Sequence, residues 1–245
     1  MTNILATCCD TAFFDSCLTL VASVQETSGQ TVDRILVYDL GLEVEQAEYL
    51  DRCRQVEVVQ FPQWVGRIFP GYLFPGQYAW KPFVIKDAAR HGDRVLYMDS
   101  GAMALKDLKT IYDRIAQNDI FLVGDSHLNR DWTHEMCFRI MDATEDERNG
   151  RQIWAGLQGY KPGGRYQRYI DDAFTFSCIK SAVFGDRASH RHDQSLYSVL
   201  AQRYGAPRED IHIFGEWRGF MSPDQVILVH RRGYRPADRV LRMRE

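Results

Sequence analysis

The chain has 245 residues, of which 45% are apolar, and this length and composition allow one substantial hydrophobic core. With 30 basic and 33 acidic residues, the formal charge of −3 provides no overall positive field, which argues against nucleic acid as a partner. No apolar run is long enough to span a bilayer and no signal-peptide pattern opens the sequence, so we expect a cytoplasmic protein.

Short apolar strands alternate with helical patterns in the first half of the chain. Apolar residues recur at helical spacing after the first strand, at Phe14, Cys17, Leu18 and Val21, and residues 80–89 form a second helical pattern. The predicted strands are residues 4–9, 35–38, 56–61, 95–98 and 120–123. This alternation predicts an α/β protein with a central, mostly parallel sheet and helices on both of its faces.

The pattern after about residue 125 is less regular. We predict short strands at residues 174–176 and 226–229 and a helix around residues 196–200. Residues 156–163 combine glycines with Tyr160 and an amide, which suits a sugar or acceptor subsite or, alternatively, a structured loop. No internal repeat or linker divides the chain, so a single domain is expected.

Asp99 directly follows the apolar strand predicted at residues 95–98. The carboxyl ends of such strands are where open α/β sheets bind ligands. Asp99 and the neighbouring Ser100 offer the oxygen donors that Mg²⁺ and Mn²⁺ favour. Alternatively, Asp99 caps the turn through Ser100 and Gly101.

Two polar positions near predicted helix starts are candidates for nucleotide contacts. Asp10 can accept hydrogen bonds from a base or ribose, and Phe13 can lie against a base; alternatively, Asp10 caps the helix and Phe13 belongs to the core. Lys81 can place an ammonium over a phosphate or carboxylate, or it can be a solvated lysine beside a core tryptophan.

The densest polar cluster of the sequence, residues 190–194, precedes the helix predicted around residues 196–200. Asp193 and Gln194 at a helix start can hydrogen-bond sugar hydroxyls or orient a reacting group. Ordinary helix capping, with Asp193 stabilised by the helix dipole, is the alternative.

A basic segment follows the last predicted strand, and six arginines lie in the last fifteen positions. His230 can add an imidazole metal ligand, Gly233 lets backbone amides approach a diphosphate, and Arg235 can neutralise phosphate charge. A basic tail without any ligand role, either solvated or docked, is the alternative.

In their order and spacing, these segments resemble the motifs of GT-A glycosyltransferases, and among them the glycogenin-like and bacterial lipopolysaccharide galactosyltransferase group. Residues 4–18 are similar to that group's first strand, nucleotide-binding Asp and following helix. Residues 94–101 are similar to its strand ending in an Asp-x-Asp metal motif. Residues 230–236 are similar to its late His-x-x-Gly-x-x-Lys-Pro motif, one residue shorter before the basic-Pro pair.

This resemblance covers nearly the whole chain and implies a single GT-A (Rossmann-like) nucleotide-diphospho-sugar transferase domain over residues 1–245. Residues 1–125 are then the nucleotide-binding half, and residues 126–245 are the sugar and acceptor half with the basic C-terminal segment. It implies that Asp10 and Phe13 contact the nucleotide, and that Asp99, Ser100 and His230 surround the diphosphate and a Mn²⁺ or Mg²⁺ ion, with Asp99 and His230 as its ligands. It also implies catalytic roles at the transferred sugar for Asp193 and Gln194. The other expected donor contacts, Lys81, Gly233 and Arg235, rest on the chemistry of their side chains and backbone given above.

The sequence departs from the family pattern at Gly101, which stands where the second Asp of the metal motif is expected and offers no side-chain ligand. Either Asp99, His230 and the diphosphate suffice for a metal, or metal binding is weak, or cations such as Lys81 and Arg235 replace it. In some glycosyltransferases the metal stabilises the departing diphosphate, a role that fixed cations can also fill.

We therefore expect an enzyme that transfers a sugar from a nucleotide donor, with a UDP-sugar expected, to an unknown acceptor with retention at the anomeric carbon. A GT-A-shaped protein that binds a nucleotide or glycan without turnover is one alternative, and another nucleotide-using transferase is a second. The first part of the segment 231–245 is expected to close over the donor. Its last residues can contact an anionic acceptor or a membrane surface, or remain solvated or docked.

Overall fold

A six-stranded sheet forms the centre of the computed structural model, which describes residues 1–210, 216–217, 223–230 and 241–244. Within these residues the strands are β1 (Asn3–Cys9), β2 (Arg34–Asp39), β3 (Val56–Gln60), β4 (Arg94–Met98), β5 (Ala102–Ala104), β6 (Ile120–Leu128), β7 (Arg151–Tyr160), β8 (Glu216–Trp217) and β9 (Ile227–Val229). The helices are α1 (Phe14–Thr27), α2 (Val44–Arg52), α3 (Lys81–Ala88), α4 (Lys109–Asn118), α5 (Asn129–Trp132), α6 (Glu135–Ile140), α7 (Glu145–Asn149), α8 (Gln167–Ser177), α9 (Lys180–Val183) and α10 (Asp193–Arg203).

The large sheet has the order β3-β2-β1-β4-β7-β6. Strands β1 to β4 are mutually parallel where they pair, whereas β7 is antiparallel to both β4 and β6. Strand β6 therefore runs in the same direction as β4, and the predicted mostly parallel sheet is confirmed. A second, small sheet has the order β5-β9-β8.

Helices cover both faces of the large sheet, as predicted. One apolar layer contains buried residues of α3, α8 and α10, and the other contains buried residues of α1 and α4. The helical spacing predicted after β1 is correct, since Cys17, Leu18 and Val21 are all buried on α1. Burial of each large side chain in these layers stabilises the fold by about 1.5–3 kcal/mol.

The prediction is wrong in two places in the second half. Residues 174–176 lie within helix α8 rather than in a strand. Residues 156–160 belong to strand β7 rather than to a loop, and the Gln158 side chain is fully buried. Its amide donates to the Ala155 carbonyl at 3.0 Å, and the hydroxyl of Tyr160 donates to it, so this amide serves the core.

The topology brings the ends of two adjacent strands to one edge. Strand β1 ends at Cys9 and strand β4 ends at Met98, so Asp10 and Asp99 both follow neighbouring parallel strands. Pairing of β5 with β9 brings His230 beside the Asp99 turn, where its backbone N–H donates to the Gly101 carbonyl at 2.9 Å. Among the described residues, none of the helices is both long enough and apolar enough to cross a bilayer.

Candidate functional site

A cleft of about 830 Å³ lies at the carboxyl ends of β1 and β4. It is lined by side chains from the loop after β1, the start of α3, the end of β4, strand β7 and the start of α10. Seven of the residues singled out from the sequence line this one cleft, namely Asp10, Phe13, Lys81, Asp99, Ser100, Asp193 and Gln194.

Lys81 is the first residue of α3 and connects two carboxylates of the cleft. Its Nζ lies 3.0 Å from Asp99 Oδ1 and 3.1 Å from Asp193 Oδ2, and it donates to the Ala155 carbonyl oxygen at 3.5 Å. Only 3% of Lys81 is exposed. The ammonium therefore lies within 3.5 Å of three protein oxygen atoms, two of which belong to carboxylates. Of the alternatives considered for Lys81, the described geometry agrees with an ammonium placed over carboxylates and not with a solvated lysine.

The three charges shift each other's proton affinities. Burial alone would lower the pKa of Lys81, but the negative charges of Asp193 and Asp99 outweigh it, so the pKa rises and the ammonium stays protonated. Burial raises the pKa of Asp193 to about 6, against the opposing effect of Lys81, and the charge of Asp99 contributes to the rise. The raised pKa of Lys81 favours its charged form, whereas the raised pKa of Asp193 favours its neutral form, because one ammonium serves two carboxylates.

Asp99 is held at the end of β4 with part of its carboxylate open to the cleft. The Tyr97 hydroxyl donates to Asp99 Oδ1 at 2.8 Å, and 43% of the Asp99 side chain is exposed. Gly156 on strand β7 makes this position possible, because a Cβ there would lie 2.6 Å from Asp99 Oδ2. Close approach of the strand, rather than loop flexibility, therefore explains this glycine.

The structure shows the capping role considered for Asp10. Its Oδ1 accepts from the Phe13 backbone N–H at 3.0 Å, which caps the short 3₁₀ turn Thr11–Phe13. Asp10 and Phe13 also line the cleft. The cap fixes the Asp10 carboxylate just after the end of β1 without burying it.

Asp193 and Gln194 open helix α10 on the opposite wall of the cleft. Asp193 is 3% exposed, and Gln194 Nε2 donates to Gln152 Oε1 at 2.8 Å. The Gln152 side chain is buried on β7, so it orients the Gln194 amide. Asp193 contacts Lys81 in addition to lying in the first turn of α10, where its charge is favourable toward the helix dipole.

The expected metal ligands do not form a metal-binding group in the described part of the chain. No set of three or more His, Cys, Asp or Glu side chains is arranged to hold an ion among the residues the structure describes. Asp99 Oδ1 already contacts Lys81 and Tyr97, and Gly101 offers no side-chain ligand. His230 is 1% exposed. The described residues thus contain no site with three or more protein ligands for Mn²⁺ or Mg²⁺, and we derive no step through a metal.

Gly233 and Arg235 lie outside the described residues, as does the rest of the segment 231–240. Residues 241–244 dock on the protein. Gln25 binds the Arg242 backbone through both ends of its amide, at 2.7 Å and 3.0 Å, and the Arg244 N–H donates to the Arg52 carbonyl at 2.8 Å. Of the alternatives for the end of the chain, the described residues support docking.

Several cleft residues were missed by sequence reasoning. They are Tyr78, Tyr97, Asp125, His127, Trp154, Arg187, Arg191 and His192. Tyr78 and His192 both have positive φ angles, of 55° and 54°, which are rare for residues other than glycine. The polar run 190–194 was the one signal that could have included Arg191 and His192, whereas nothing in the local sequence marks the other positions as cleft residues.

Comparison with solved structures shows that the chain has the GT-A glycosyltransferase fold. The galactosyltransferase LgtC, solved with donor and acceptor sugar analogues, matches with a TM-score of 0.59 and 13% identity, over 93% of this chain and 86% of LgtC. Mouse xyloside xylosyltransferase 1 matches with a TM-score of 0.59 and 10% identity, over 94% of this chain and 97% of that protein. The bifunctional glycosyltransferase WbbM gives a TM-score of 0.59 at 12% identity over 89% of this chain, which spans only 40% of WbbM.

These likenesses confirm the predicted fold and the structural resemblance to the galactosyltransferase group. Core-mannan synthase A from Aspergillus fumigatus, solved in a Mn/GDP form, matches with a TM-score of 0.57 and 7% identity, over 86% of this chain and 73% of that protein. No protein-family model matches the chain, and no curated protein matches it by sequence. At these identities the likenesses establish the fold alone.

Proposed function

We propose that this protein transfers a sugar from a nucleotide-diphosphate donor, with a UDP-sugar expected, to an acceptor in the cleft at the ends of β1 and β4. The observation that carries the proposal is the buried ammonium of Lys81, which joins the strand-end carboxylate Asp99 to the helix-start carboxylate Asp193 inside that cleft. The GT-A fold supports it, because solved proteins of this fold act on sugars.

The proposed placement of the donor follows from the chemistry of the two walls. Asp10 and Phe13 offer a hydrogen-bond acceptor and a ring near the end of β1, which suit the nucleoside. Asp193 and Gln194 offer carboxylate and amide oxygens, which suit the hydroxyls of the sugar. The diphosphate then lies between these walls, beside Ser100. Residues 1–125 thus supply the nucleotide wall and residues 126–245 the sugar wall of a single domain.

The charge of a diphosphate requires compensation in this cleft. The formal charges lining it are four carboxylates, Asp10, Asp99, Asp125 and Asp193, and three cations, Lys81, Arg187 and Arg191. Lys81 already pairs with two of these carboxylates, which leaves Arg187 and Arg191 as the other cations of the lining. The sequence adds further arginines at 231–235. We assign the neutralisation of the leaving diphosphate to these arginines, so the release of nucleoside diphosphate from a sugar nucleotide should be as fast without Mn²⁺ as with it.

Retention at the anomeric carbon is part of the proposal because the family resemblance implies it. Asp193 and the Gln194 amide are the described groups that we place at the reacting sugar. Proton NMR of the first product distinguishes the two anomers and therefore tests this part separately from turnover.

Calorimetric titration of the wild-type protein with UDP, GDP and ADP, with and without Mn²⁺, tests the nucleotide part directly. We expect one nucleoside diphosphate to bind at least tenfold more tightly than the others, and Asp10→Asn to weaken that binding. Asp15→Asn, an exposed position on the first turn of α1, is the matched control. Absence of binding by all three nucleotides would contradict the proposal.

A nucleotide- or glycan-binding protein without turnover is the second candidate, and Gly101 is the observation that favours it. Gly101 removes a carboxylate from the turn after Asp99, so the cleft has one strong ligand fewer for a metal–diphosphate complex. Nucleotide binding without release of sugar from any donor would support this candidate.

A further inference from the structure

His192 has a strained backbone at the point where the chain enters helix α10. Its φ and ψ angles are 54° and −121°, a conformation that residues other than glycine rarely adopt. Residues in such conformations persist where the surrounding structure fixes them, and they cluster at ligand sites. His192 precedes Asp193 and lines the cleft, so the strain lies at the proposed sugar wall.

The hydrogen bond of its ring fixes which nitrogen carries the proton. His192 Nδ1 lies 3.1 Å from the Val183 carbonyl oxygen, and a carbonyl can only accept, so Nδ1 donates. Burial lowers the pKa of His192, which keeps the ring neutral near pH 7. In this tautomer Nε2 presents a lone pair and no proton.

That lone pair has no partner within the described residues. His192 is 2% exposed, and its Nε2 is buried without a hydrogen bond in the part of the chain that the structure describes. Buried polar atoms are nearly always hydrogen-bonded, and an unpaired one calls for an explanation. A ligand group in the cleft would supply the missing donor.

Two further imidazoles keep the wall rigid. His190 Nε2 lies 3.1 Å from the Ala182 carbonyl oxygen, and His134 Nε2 lies 3.0 Å from that of Phe184. Together with His192, three histidines thus bind three consecutive carbonyls at the end of α9. The His134 and His190 rings stack with their centroids 3.8 Å apart. The position of the His192 ring is therefore set before a ligand arrives.

We propose that His192 Nε2 accepts a hydrogen bond from one hydroxyl group of the transferred sugar and so helps to select the donor. This inference rests on the proposed function. A hydroxyl is the group of a nucleotide sugar that donates to a neutral imidazole nitrogen, and the adjacent Asp193 belongs to the wall assigned to the sugar. A site built to bond a hydroxyl rejects an analogue that lacks it, because its own buried group is then left unpaired.

The test compares wild-type protein with His192→Asn, since Asn tolerates positive φ angles and places no acceptor at the Nε2 position. UDP-glucose, UDP-galactose, UDP-N-acetylglucosamine and GDP-mannose are first assayed for hydrolysis. The monodeoxy analogues of the fastest donor are then compared by kcat/KM. His91→Asn, which lies outside the cleft lining and pairs with Asp87 at 3.7 Å, is the matched control.

We expect one monodeoxy analogue to lose about 10- to 100-fold in kcat/KM with wild-type protein and with His91→Asn. With His192→Asn that penalty should fall to about twofold or less, while the penalties at the other hydroxyls remain. Equal penalties in wild-type protein and His192→Asn overturn this inference and leave the proposed function standing. If none of the four donors binds or reacts, the proposed function and this inference fall together.

A measurement on the wild-type protein covers the case in which His192→Asn does not fold. The ¹⁵N resonance of His192 Nε2 should move upfield when the donor binds, as a nitrogen lone pair does on accepting a hydrogen bond. An unchanged resonance at donor saturation would overturn the inference. His192→Gly, which suits the backbone conformation, provides a second variant for the analogue series.

Discussion

Asp99 and Asp193 lie in different halves of the chain and are held by the same atom, since Lys81 Nζ is 3.0 Å from Asp99 Oδ1 and 3.1 Å from Asp193 Oδ2. The first carboxylate is 43% exposed and the second only 5%. One ammonium thus links an open carboxylate at a strand end to a buried one at a helix start. This link sets how the cleft should respond to substitution.

Lys81→Met should destabilise the fold and abolish turnover. Asp193 would be left buried without its cation, and breaking a buried pair in this way typically costs about 3–5 kcal/mol. Lys86→Met is the control on the same helix, because its pair with Asp171 has both side chains 41% exposed and should contribute at most about 1 kcal/mol. Urea denaturation gives both values. Equal losses in the two variants would show that Lys81 has no special electrostatic role.

Gln194→Ala should lower kcat much more than it weakens nucleotide binding. An interaction made chiefly in the transition state appears in kcat, and we expect a loss of roughly 100-fold. The dissociation constant of the nucleoside diphosphate should stay within about threefold of the wild-type value. Gln202→Ala, on the same helix and bonded to Asp146 at 2.9 Å, is the control. A matching loss of nucleotide affinity would move Gln194 out of the sugar wall.

His190 predicts a pH dependence of stability. Burial, together with the nearby His134 and His192, lowers its pKa to about 3, against about 6.5 for an unfolded histidine. Between these pH values the unfolded state binds more protons, so His190 makes the fold less stable as the pH falls from about 6.5. The total loss from this group is at most about 5 kcal/mol.

The comparison of wild-type protein with His190→Gln isolates this effect. The stability advantage of the wild-type protein should shrink between pH 7 and pH 4, because glutamine does not titrate. Asp193 has an opposite dependence, since its raised pKa favours the folded state at acid pH, but it is present in both proteins and cancels. His91→Gln, a more exposed position, provides the control. A constant difference across this range would contradict a neutral, buried His190.

Removal of residues 241–245 should destabilise the protein but spare donor hydrolysis at temperatures where it stays folded. The Gln25 side chain is 1% exposed, and it would lose both of its bonds to the Arg242 backbone. Gln25 Nε2 keeps its bond to the Arg54 carbonyl at 2.8 Å, but the amide oxygen loses its partner, and an unsatisfied buried polar group costs about 1–3 kcal/mol. Gln25→Ala in the full chain should be destabilised similarly, whereas the exposed Gln30→Ala should not. Unchanged melting after truncation would show that this docking contributes nothing.

Periodicity predicted most of the sheet and its covering helices because these elements bury apolar residues at regular intervals. Strand β7 escaped prediction, because Gly156 and Gly159 weaken its pattern. Residues distant in sequence leave no room for a Cβ at either glycine. A Cβ at Gly159 would lie 2.4 Å from the Ile115 side chain, and one at Gly156 would lie too close to Asp99. Requirements of this kind depend on the tertiary fold and leave no local signature.

The position of the candidate site was predictable, but its internal connections were not. Asp10 and Asp99 each follow an apolar strand, and parallel neighbours place such residues at one edge. The pairing of Lys81 with Asp193 depends on how α10 packs across the sheet, which no spacing in the sequence expresses. The same holds for His192, whose backbone angles and ring contacts come from the turn between α9 and α10.

The most direct test of the account is the release of nucleoside diphosphate from sugar nucleotides by wild-type protein and by Asp99→Asn, with and without Mn²⁺. We predict time-dependent release from at least one donor by the wild-type protein and a loss of at least 100-fold in Asp99→Asn. The melting temperature should remain nearly unchanged, because this carboxylate is partly exposed. No release from any donor, or equal rates in both proteins, would contradict a sugar-transfer site built on Asp99, Lys81 and Asp193.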